Sequence, residues 1–429
     1  MEILYQQQVK KLRSLQNEKS QKTRMINKLT KNYLVNKVAF LFSGLLVTNI
    51  INLLGFFIIA KLFSVTTLGE YYMFIATASI LNVFLTLGYL HSIPILKDDE
   101  LKDMYLSITL LSILVLILVS PLIYYFFDFA LLLLVFSLAQ VFTSLSQQVF
   151  IKDQLIKKLN ITNIGTSISN MCFTIGSFYL FGDNLFYLIL MTTLSSTLVN
   201  LTVYLIYLKS YNLFYLRSLE INILKKYIKF VKYIGPGMAF HTIAYQIPIL
   251  IAGNFFSPAV AAYYNMAFKL VYLPATLISA SVSQVFVGKL SINNRNGENI
   301  FQSFNDLAKY MAIVAILFII STITILPYFI EIFFGEKWIG SIEISFALLP
   351  LVFSLIAISP LTNVFQFTNN QEKVFILHFF SFLISLISFA IGVFLRDFVI
   401  GVYIFTISML IRYVIIMLAL NKLKKEYET

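Results

Sequence analysis

The chain has 429 residues, of which 59% are hydrophobic and 12% charged, with a mean hydropathy of +0.83. A soluble domain carries about 25% charged residues, so this composition excludes a soluble fold and predicts an integral membrane protein. The single cysteine, Cys172, excludes an internal disulfide, and three widely spaced histidines form no metal motif, so we expect no metal and no other cofactor.

The chain opens with a polar, basic segment. Its first 33 residues hold eight Lys or Arg and no apolar core typical of a signal peptide. We predict a basic cytoplasmic arm over 1–34, either interfacial or loosely ordered.

Twelve long apolar segments follow, each near the length of about 20 residues that crosses a bilayer. They are continuous rather than short and alternating, which predicts helices and not a β-barrel. A charge-free stretch at 233–268 is too long for one crossing, and Phe256-Ser257-Pro258 predicts the bend that divides it. The predicted spans are 36–62, 67–93, 104–126, 129–151, 161–182, 185–208, 235–256, 259–287, 309–332, 343–367, 374–395 and 398–420.

The spans group into two halves. We predict an N-terminal six-helix bundle (35–208), a basic cytoplasmic linker (209–234), a C-terminal six-helix bundle (235–420) and a cytoplasmic tail (421–429). A faint echo at an offset of 192 supports the division: Ile59-Ala60 matches Ile251-Ala252, Phe63 matches Phe255, and Tyr71-Tyr72 matches Tyr263-Tyr264. The predicted fold is therefore all-α and integral to the membrane, with twelve transmembrane helices in two pseudo-symmetric bundles.

Basic residues predict the orientation. With the N-terminus in the cytoplasm, 27 of the 32 Lys and Arg lie on the cytoplasmic side and three on the other. Both termini are then cytoplasmic. The formal charge of +12 is spread over several cytoplasmic segments without a recognition motif, so we expect contact with anionic membrane lipids and not with nucleic acid.

Two cations lie deep in apolar segments, where no Asp or Glu lies as deep. Lys269 falls about 15 Å into the eighth span and Arg412 about 12 Å from the inner end of the twelfth. Such charges are costly in a bilayer and mark ligand or ion paths. If both face a cavity, that cavity suits an anion. The alternative for each is snorkelling or a hydrogen bond to a helix carbonyl.

Other polar residues carry weaker hypotheses. Lys61 ends the first span and is either an interfacial anchor or a substrate contact. His241 is interpreted as a satisfied core histidine. The amides Gln246, Asn254, Asn265, Asn363 and Gln366 either contact sugar hydroxyls or join helices. The tyrosine pairs Tyr71-Tyr72 and Tyr263-Tyr264 predict an interfacial aromatic belt.

Seven of the nine prolines lie in the second half. Proline inside a helix removes a hydrogen bond and favours a kink, and Pro248, Pro274 and Pro360 are the interior cases. One hypothesis is that the second half bends more during transport. The alternative is that membrane helices merely tolerate proline.

Three stretches resemble a known family: IIAKLFSVTTLGEYY, IPILIAGNFFSPAVAAYYNMAFKLVYLPATLISASVSQVF and FFGEKWIGSIEISFALLPLVFSLIAISPLTNVFQFTNNQEK. They are similar to bacterial polysaccharide exporters, the Wzx-type O-antigen or capsule flippases. That superfamily includes the MATE exporters and the peptidoglycan lipid flippases. The resemblance extends from about residue 35 and implies a MATE-like fold with a basic cavity. Lys269 matches a basic position after the Tyr-rich turn, whereas Arg412 has no assigned counterpart.

The resemblance implies a transporter in the bacterial cytoplasmic (inner) membrane, not an enzyme. Its substrate would be an undecaprenyl-diphosphate-linked oligosaccharide, and a polysaccharide polymerase and a chain-length regulator would be its partners. The predicted substrate contacts are Lys269, Arg412 and Lys61. Two alternatives stay open: a membrane glycan polymerase or ligase, and a transporter of another solute.

Overall fold

The computed structural model describes residues 43–210, 221–296, 301, 304–367 and 372–428. The predicted basic arm (1–34) and the middle of the predicted linker (211–220) lie outside these ranges. Within them, the chain is helical and contains no β-strand.

The first half contains six long helices and a 3₁₀ segment. They are α1 Ser43–Leu62, α2 Val65–Thr86, a 3₁₀ helix Tyr89–Ile95, α3 Asp98–Phe126, α4 Ala130–Lys152, α5 Ile156–Phe181 and α6 Leu185–Ser210.

The second half is more broken. Its α-helices are α7 Ile221–Lys226, α8 Gly235–Ile251, α9 Pro258–Ala267, α10 Leu273–Asn296, α11 Phe304–Phe334, α12 Gly340–Ala347, α13 Leu349–Ala357, α14 Glu372–Leu395 and α15 Phe398–Glu428. Short π-helical turns occupy Phe230–Ile234, Ala252–Phe256 and Phe268–Tyr272, and 3₁₀ turns occupy Glu336–Trp338 and Ser359–Phe367.

The all-α membrane architecture is confirmed, and each predicted span contains helix. In the described part of the chain, ten helical stretches are long and apolar enough to cross a membrane. The count is eleven if α12 and α13, bent by 51°, form one broken span. The predicted count of twelve is not reached, because α5 is absent from this set. Polar residues such as Ser167, Asn170 and Thr174 explain why α5 reads as less apolar.

Prolines account for two of the helix irregularities. The ring nitrogen of Pro274 cannot donate to the carbonyl of Leu270, and the π-helical turn Phe268–Tyr272 lies at this point. Pro248 likewise leaves the Ala244 carbonyl without its usual donor. The Ser385 hydroxyl of α14 donates to that carbonyl instead, at 2.9 Å. The kink that Pro248 favours is therefore stabilised from a neighbouring helix.

The two halves contact each other mainly through α2, which packs against α8 and α9. Within the first half, α4 and α5 pack against α6. Within the second, α14 packs against α8 and α15. This pattern fits a division into two bundles, which stays a prediction.

The α1–α2 and α8–α9 junctions resemble each other, as the sequence echo predicts. Each junction is a tight turn in which a serine caps the next helix. The Ser64 hydroxyl accepts from the Thr67 amide at 3.2 Å, and the Ser257 hydroxyl accepts from the Val260 amide at 3.3 Å. The predicted bend at Ser257 is confirmed. We name this side of the bundle the Lys61 side, and the opposite side, where α2 ends, the Gly88 side.

Replacing Ser385 with Ala should leave the Ala244 carbonyl without a donor. We expect a loss of about 0.5–2 kcal/mol in unfolding free energy, measured by reversible denaturation in detergent. Ser381→Ala is the matched control, because Ser381 is also buried on α14 but donates to Leu377 of its own helix.

The effect should shrink in a Pro248→Ala background, where residue 248 regains an N–H that can donate to Ala244. Equal losses in both backgrounds would show that Ser385 does not compensate for the proline.

Candidate functional site

A cavity of about 490 Å³ lies between the two halves. Residues of α1, α2, α4, α5 and α6 line it from the first half, and residues around α8, α9 and the π-helical turn after α9 line it from the second. Its volume lies within the range of small-molecule sites. Of the residues that the structure describes, one ionised side chain lines it, Lys269, and neither Asp nor Glu does.

Lys269 extends from the second half onto aromatic rings of the first. Its Nζ lies 4.5 Å from the centre of the Phe56 ring on α1 and 5.0 Å from that of Tyr72 on α2. Cation–π contacts of this kind are worth about 0.5–2 kcal/mol and leave the ammonium N–H groups free to bind an anion. Among the described residues, no carboxylate forms a salt bridge with Lys269. The prediction that Lys269 faces a cavity agrees with this placement.

Six amide side chains share the cavity with Lys269: Asn49, Asn52, Gln140, Asn170, Gln246 and Asn265. An amide both donates and accepts hydrogen bonds, as sugar hydroxyls do. Sequence reasoning singled out Gln246 and Asn265 and missed the four from the first half. Spacing could have found one group: Ser167, Asn170 and Thr174 recur every three to four residues along α5 and share one helix face.

The other amides of the sequence hypothesis make local contacts. Asn254 donates to the Leu250 carbonyl at 2.9 Å, and Asn363 donates to the Pro360 carbonyl at 2.8 Å. Neither lines the cavity. The side chain of Gln366 lies outside the described part.

The predicted aromatic belt is wrong for three of its four tyrosines. Tyr71, Tyr72 and Tyr264 are buried, and Tyr71 and Tyr72 line the cavity. The fourth, Tyr263, packs edge-to-face against Trp338 with ring centres 6.2 Å apart. Each pair lies in the second turn of its helix, where α2 and α9 face each other and not lipid headgroups.

On the Lys61 side, the second half caps the end of α1. The last carbonyls of a helix have no partner within it. Lys337 Nζ donates to the carbonyls of Lys61 at 3.1 Å and Phe63 at 2.9 Å, and Trp338 Nε1 donates to Ala60 at 3.0 Å. We call these three hydrogen bonds the α1 cap. The Lys61 side chain itself is exposed and does not line the cavity, so its substrate contact stays a prediction.

Backbones meet on both sides of the cavity. On the Lys61 side, a Cβ on Gly69 of α2 would lie 1.7 Å from the Pro258 carbonyl oxygen, so only glycine permits this approach. On the Gly88 side, Gly88 has φ 81° and packs against Gly235 at the start of α8. Nearby, Glu100 of α3 accepts from Tyr227 Oη at 2.7 Å and pairs with Lys226.

Arg412 is placed differently from Lys269. It lies outside the lining of the cavity, and its Nη1 donates to the Leu377 carbonyl of α14 at 3.2 Å. The structural hydrogen bond weighed as an alternative is therefore present, and substrate contact by Arg412 stays a prediction. Among the described residues, no group of three or more His, Cys, Asp or Glu is arranged to hold a metal ion.

Solved membrane transporters share this architecture. The chain matches the lipid II flippase MurJ in an inward closed conformation with a TM-score of 0.68 and 15% identity, over 88% of this chain and 87% of MurJ. It matches an inward-facing multidrug resistance MATE family transporter of the MOP superfamily with a TM-score of 0.58 and 14% identity, over 87% and 96% of the two chains. At these identities the likeness shows the fold.

One curated relative matches a short region. The teichuronic acid biosynthesis protein TuaB of Bacillus subtilis (strain 168) is 26% identical over 99 residues, which span 23% of this chain and 20% of that protein. A family model described as polysaccharide biosynthesis protein matches residues 58–343, which include both tyrosine pairs, Lys269 and the α1 cap. Because that match extends over more than half of the sequence, the chain belongs to the polysaccharide biosynthesis protein family.

Proposed function

We propose that this protein is a flippase that moves an undecaprenyl-diphosphate-linked oligosaccharide from the inner to the outer leaflet of the bacterial cytoplasmic membrane, for O-antigen, capsule or related surface-polysaccharide assembly. The observation that carries the proposal is the lining of the cavity, in which one lysine is surrounded by six amides. The lysine suits a diphosphate, and the amides suit sugar hydroxyls. The polyprenyl tail stays in the bilayer.

The charge of the cavity favours this substrate over a cationic drug. A cation would need a carboxylate or another anion nearby, and no Asp or Glu of the described residues lines the cavity. A diphosphate bound at Lys269 gains a charge-assisted hydrogen bond, which is worth about 1.5–3 kcal/mol. The match to the polysaccharide biosynthesis family and the structural likeness to the lipid II flippase MurJ support the same substrate class.

The connections on the Lys61 side argue against a glycan polymerase or ligase. All six lie in the described part, between α1 and α2, α3 and α4, α5 and α6, α8 and α9, α11 and α12, and α14 and α15. None is longer than six residues. An enzyme acting on that face would need larger loops to position catalytic groups.

Transport would proceed by alternating access. The excess of basic residues on the opposite side supports an orientation with the Lys61 side outside the cell. The α1 cap then closes the outer side, and its three hydrogen bonds must break for release outward. An inside-negative potential favours outward movement by about 2.3 kcal/mol per charge per 100 mV across the full field. A polymerase and a chain-length regulator would receive the flipped unit.

Replacing Lys269 with Ala should reduce surface-glycan display at least about tenfold in cells lacking the native protein, because the diphosphate loses its cationic contact. Lys269→Arg should retain part of the display, since the charge remains. Lys157→Ala is the control, because Lys157 is exposed and remote from the cavity. Full glycan display by a well-inserted Lys269→Ala protein would contradict the flippase proposal.

Gln246→Leu should reduce glycan display without lowering the amount of folded protein, since leucine cannot form hydrogen bonds to sugar. Asn254→Leu should leave display unchanged, because Asn254 bonds its own helix. The measurement is surface glycan per membrane-inserted protein. A loss of folded protein with Gln246→Leu would instead favour the helix-joining role.

Lys337→Met should weaken the α1 cap and open the Lys61 side more often. In a Cys172→Ser background, a cysteine at cavity residue Ile59 should react with a membrane-impermeant thiol reagent at least about fivefold faster from outside. Arg396→Gln is the control on the same side, since Arg396 is exposed and outside the cap. An unchanged labelling rate would show that the cap does not limit opening.

A further inference from the structure

Three basic side chains from three helices of the second half lie together, away from Lys269. His241 of α8 and His378 of α14 are perpendicular, with ring centres 5.0 Å apart. Arg412 of α15 reaches the same place, because its Nη1 donates to the carbonyl of Leu377, the residue before His378. We call this group the His–Arg cluster. The interpretation of His241 as a satisfied core histidine is wrong, because His241 is exposed.

The cluster has unused hydrogen-bonding capacity. Arg412 uses Nη1 on the Leu377 carbonyl, and its buried Nε finds no acceptor among the described residues. The guanidinium also lies over the Tyr413 ring, with Cζ 4.6 Å from the ring centre. No acidic residue forms a salt bridge with any member of the cluster in the described part of the chain.

The cluster adjoins the cavity on the Gly88 side. His241 lies about 9 Å along the axis from the start of α8 at Gly235. Tyr245, which lines the cavity, follows His241 by one helical turn on the same face, with ring centres 5.0 Å apart. The ring centres of Tyr245 and Tyr272 are 5.7 Å apart, and Tyr272 lies in the same π-helical turn as Lys269. A series of ring contacts therefore connects the cluster to the turn that carries Lys269.

We propose that His241, His378 and Arg412 form a second anion site, which binds phosphoryl oxygens more tightly when the histidines are protonated. Arginine presents a planar fork that matches phosphate oxygens, and each protonated imidazole adds two N–H donors. A bound anion favours the protonated form of an adjacent imidazole, because opposite charges attract. Protons and the anion therefore bind together. The proposal rests on the proposed function in one respect: a lipid diphosphate is the expected occupant.

The surroundings of the histidines contain no competing carboxylate among the described side chains. The neighbouring titratable groups are the phenols of Tyr245 on α8, Tyr272 in the π-helical turn and Tyr413 on α15. The ionisable groups of α2, which also packs on α8, are Glu70, Tyr71 and Tyr72, near its opposite end. Imidazoles then remain the groups that change charge near neutral pH.

Sulfate is the first probe, because its charge does not change between about pH 6 and pH 8. Titration calorimetry on the purified full-length protein in detergent should show at least about tenfold tighter sulfate binding at the lower pH. The His241→Gln/His378→Gln protein should bind with a pH ratio below about twofold. Arg412→Gln should bind weakly at both pH values, and Arg412→Lys should recover part of the affinity.

His91→Gln is the matched control, since His91 is the remaining histidine and lies on the 3₁₀ segment Tyr89–Ile95. It should keep the wild-type pH ratio. Lys269→Gln removes the cavity cation and should lower the total sulfate affinity without removing its pH dependence. The proposal is overturned if the double histidine variant keeps the tenfold ratio, if Arg412→Gln binds sulfate normally, or if Lys269→Gln abolishes the pH-dependent binding.

Two further ligands separate a lipid source from a free anion. Tighter binding of a short-chain isoprenyl diphosphate than of inorganic pyrophosphate would support a lipid headgroup, and equal affinity would identify a site for free phosphoryl anions. The outcome is separable from that of the flippase proposal. Normal glycan display by Lys269→Ala would remove the flippase assignment and leave the sulfate result standing.

Discussion

The ammonium group of Lys269 lies between the two halves of the protein, and the residues around it must stabilise its charge. Lys269 has no carboxylate partner among the described residues, and its charge is stabilised by Phe56 and Tyr72 from the opposite half. A full ion pair would neutralise the cavity and compete with an anionic ligand. Aromatic faces stabilise the cation more weakly and leave its hydrogen-bond donors available. The same two rings also make the lysine sensitive to how the halves are arranged, because they move with α1 and α2.

Much of the fold could be predicted from the lengths of the apolar segments in the sequence. Each predicted span contains helix, and Ser257-Pro258 marks the observed break, because few alternatives to helix exist for backbone in a bilayer. The failures have a common cause. Tyrosine is amphipathic, and α5 carries polar residues within an apolar segment. Both patterns are compatible with a cavity and with the membrane interface, so sequence composition does not distinguish the two locations. The depth of Lys269 predicted its exposure to a cavity. The pairing of His241 with His378 was invisible, because 137 positions separate them and only the packing of α8 on α14 joins them.

In the second half, a hydrogen bond that a proline removes is replaced from a neighbouring helix. Where Pro248 removes a donor, Ser385 supplies one from a neighbouring helix, so the irregular backbone is not left unsatisfied in an apolar medium. The π-helical turn before Pro274 contains Lys269. Its extra residue also rotates the side chains that follow it around the helix axis. Helix irregularity and the cavity cation Lys269 thus coincide in one turn.

The α1 cap carries a consequence for how solvent controls this protein. When Lys337 and Trp338 withdraw, the freed carbonyls of Ala60, Lys61 and Phe63 lie at a membrane surface, where water can replace the lost donors. Each exchange costs about 0.5–1.5 kcal/mol net, so three of them bias the equilibrium by only a few kcal/mol. Opening then takes up water at the end of α1. Osmolytes that lower water activity should favour the closed form, and hydration at this one helix end becomes a thermodynamic component of the transport cycle.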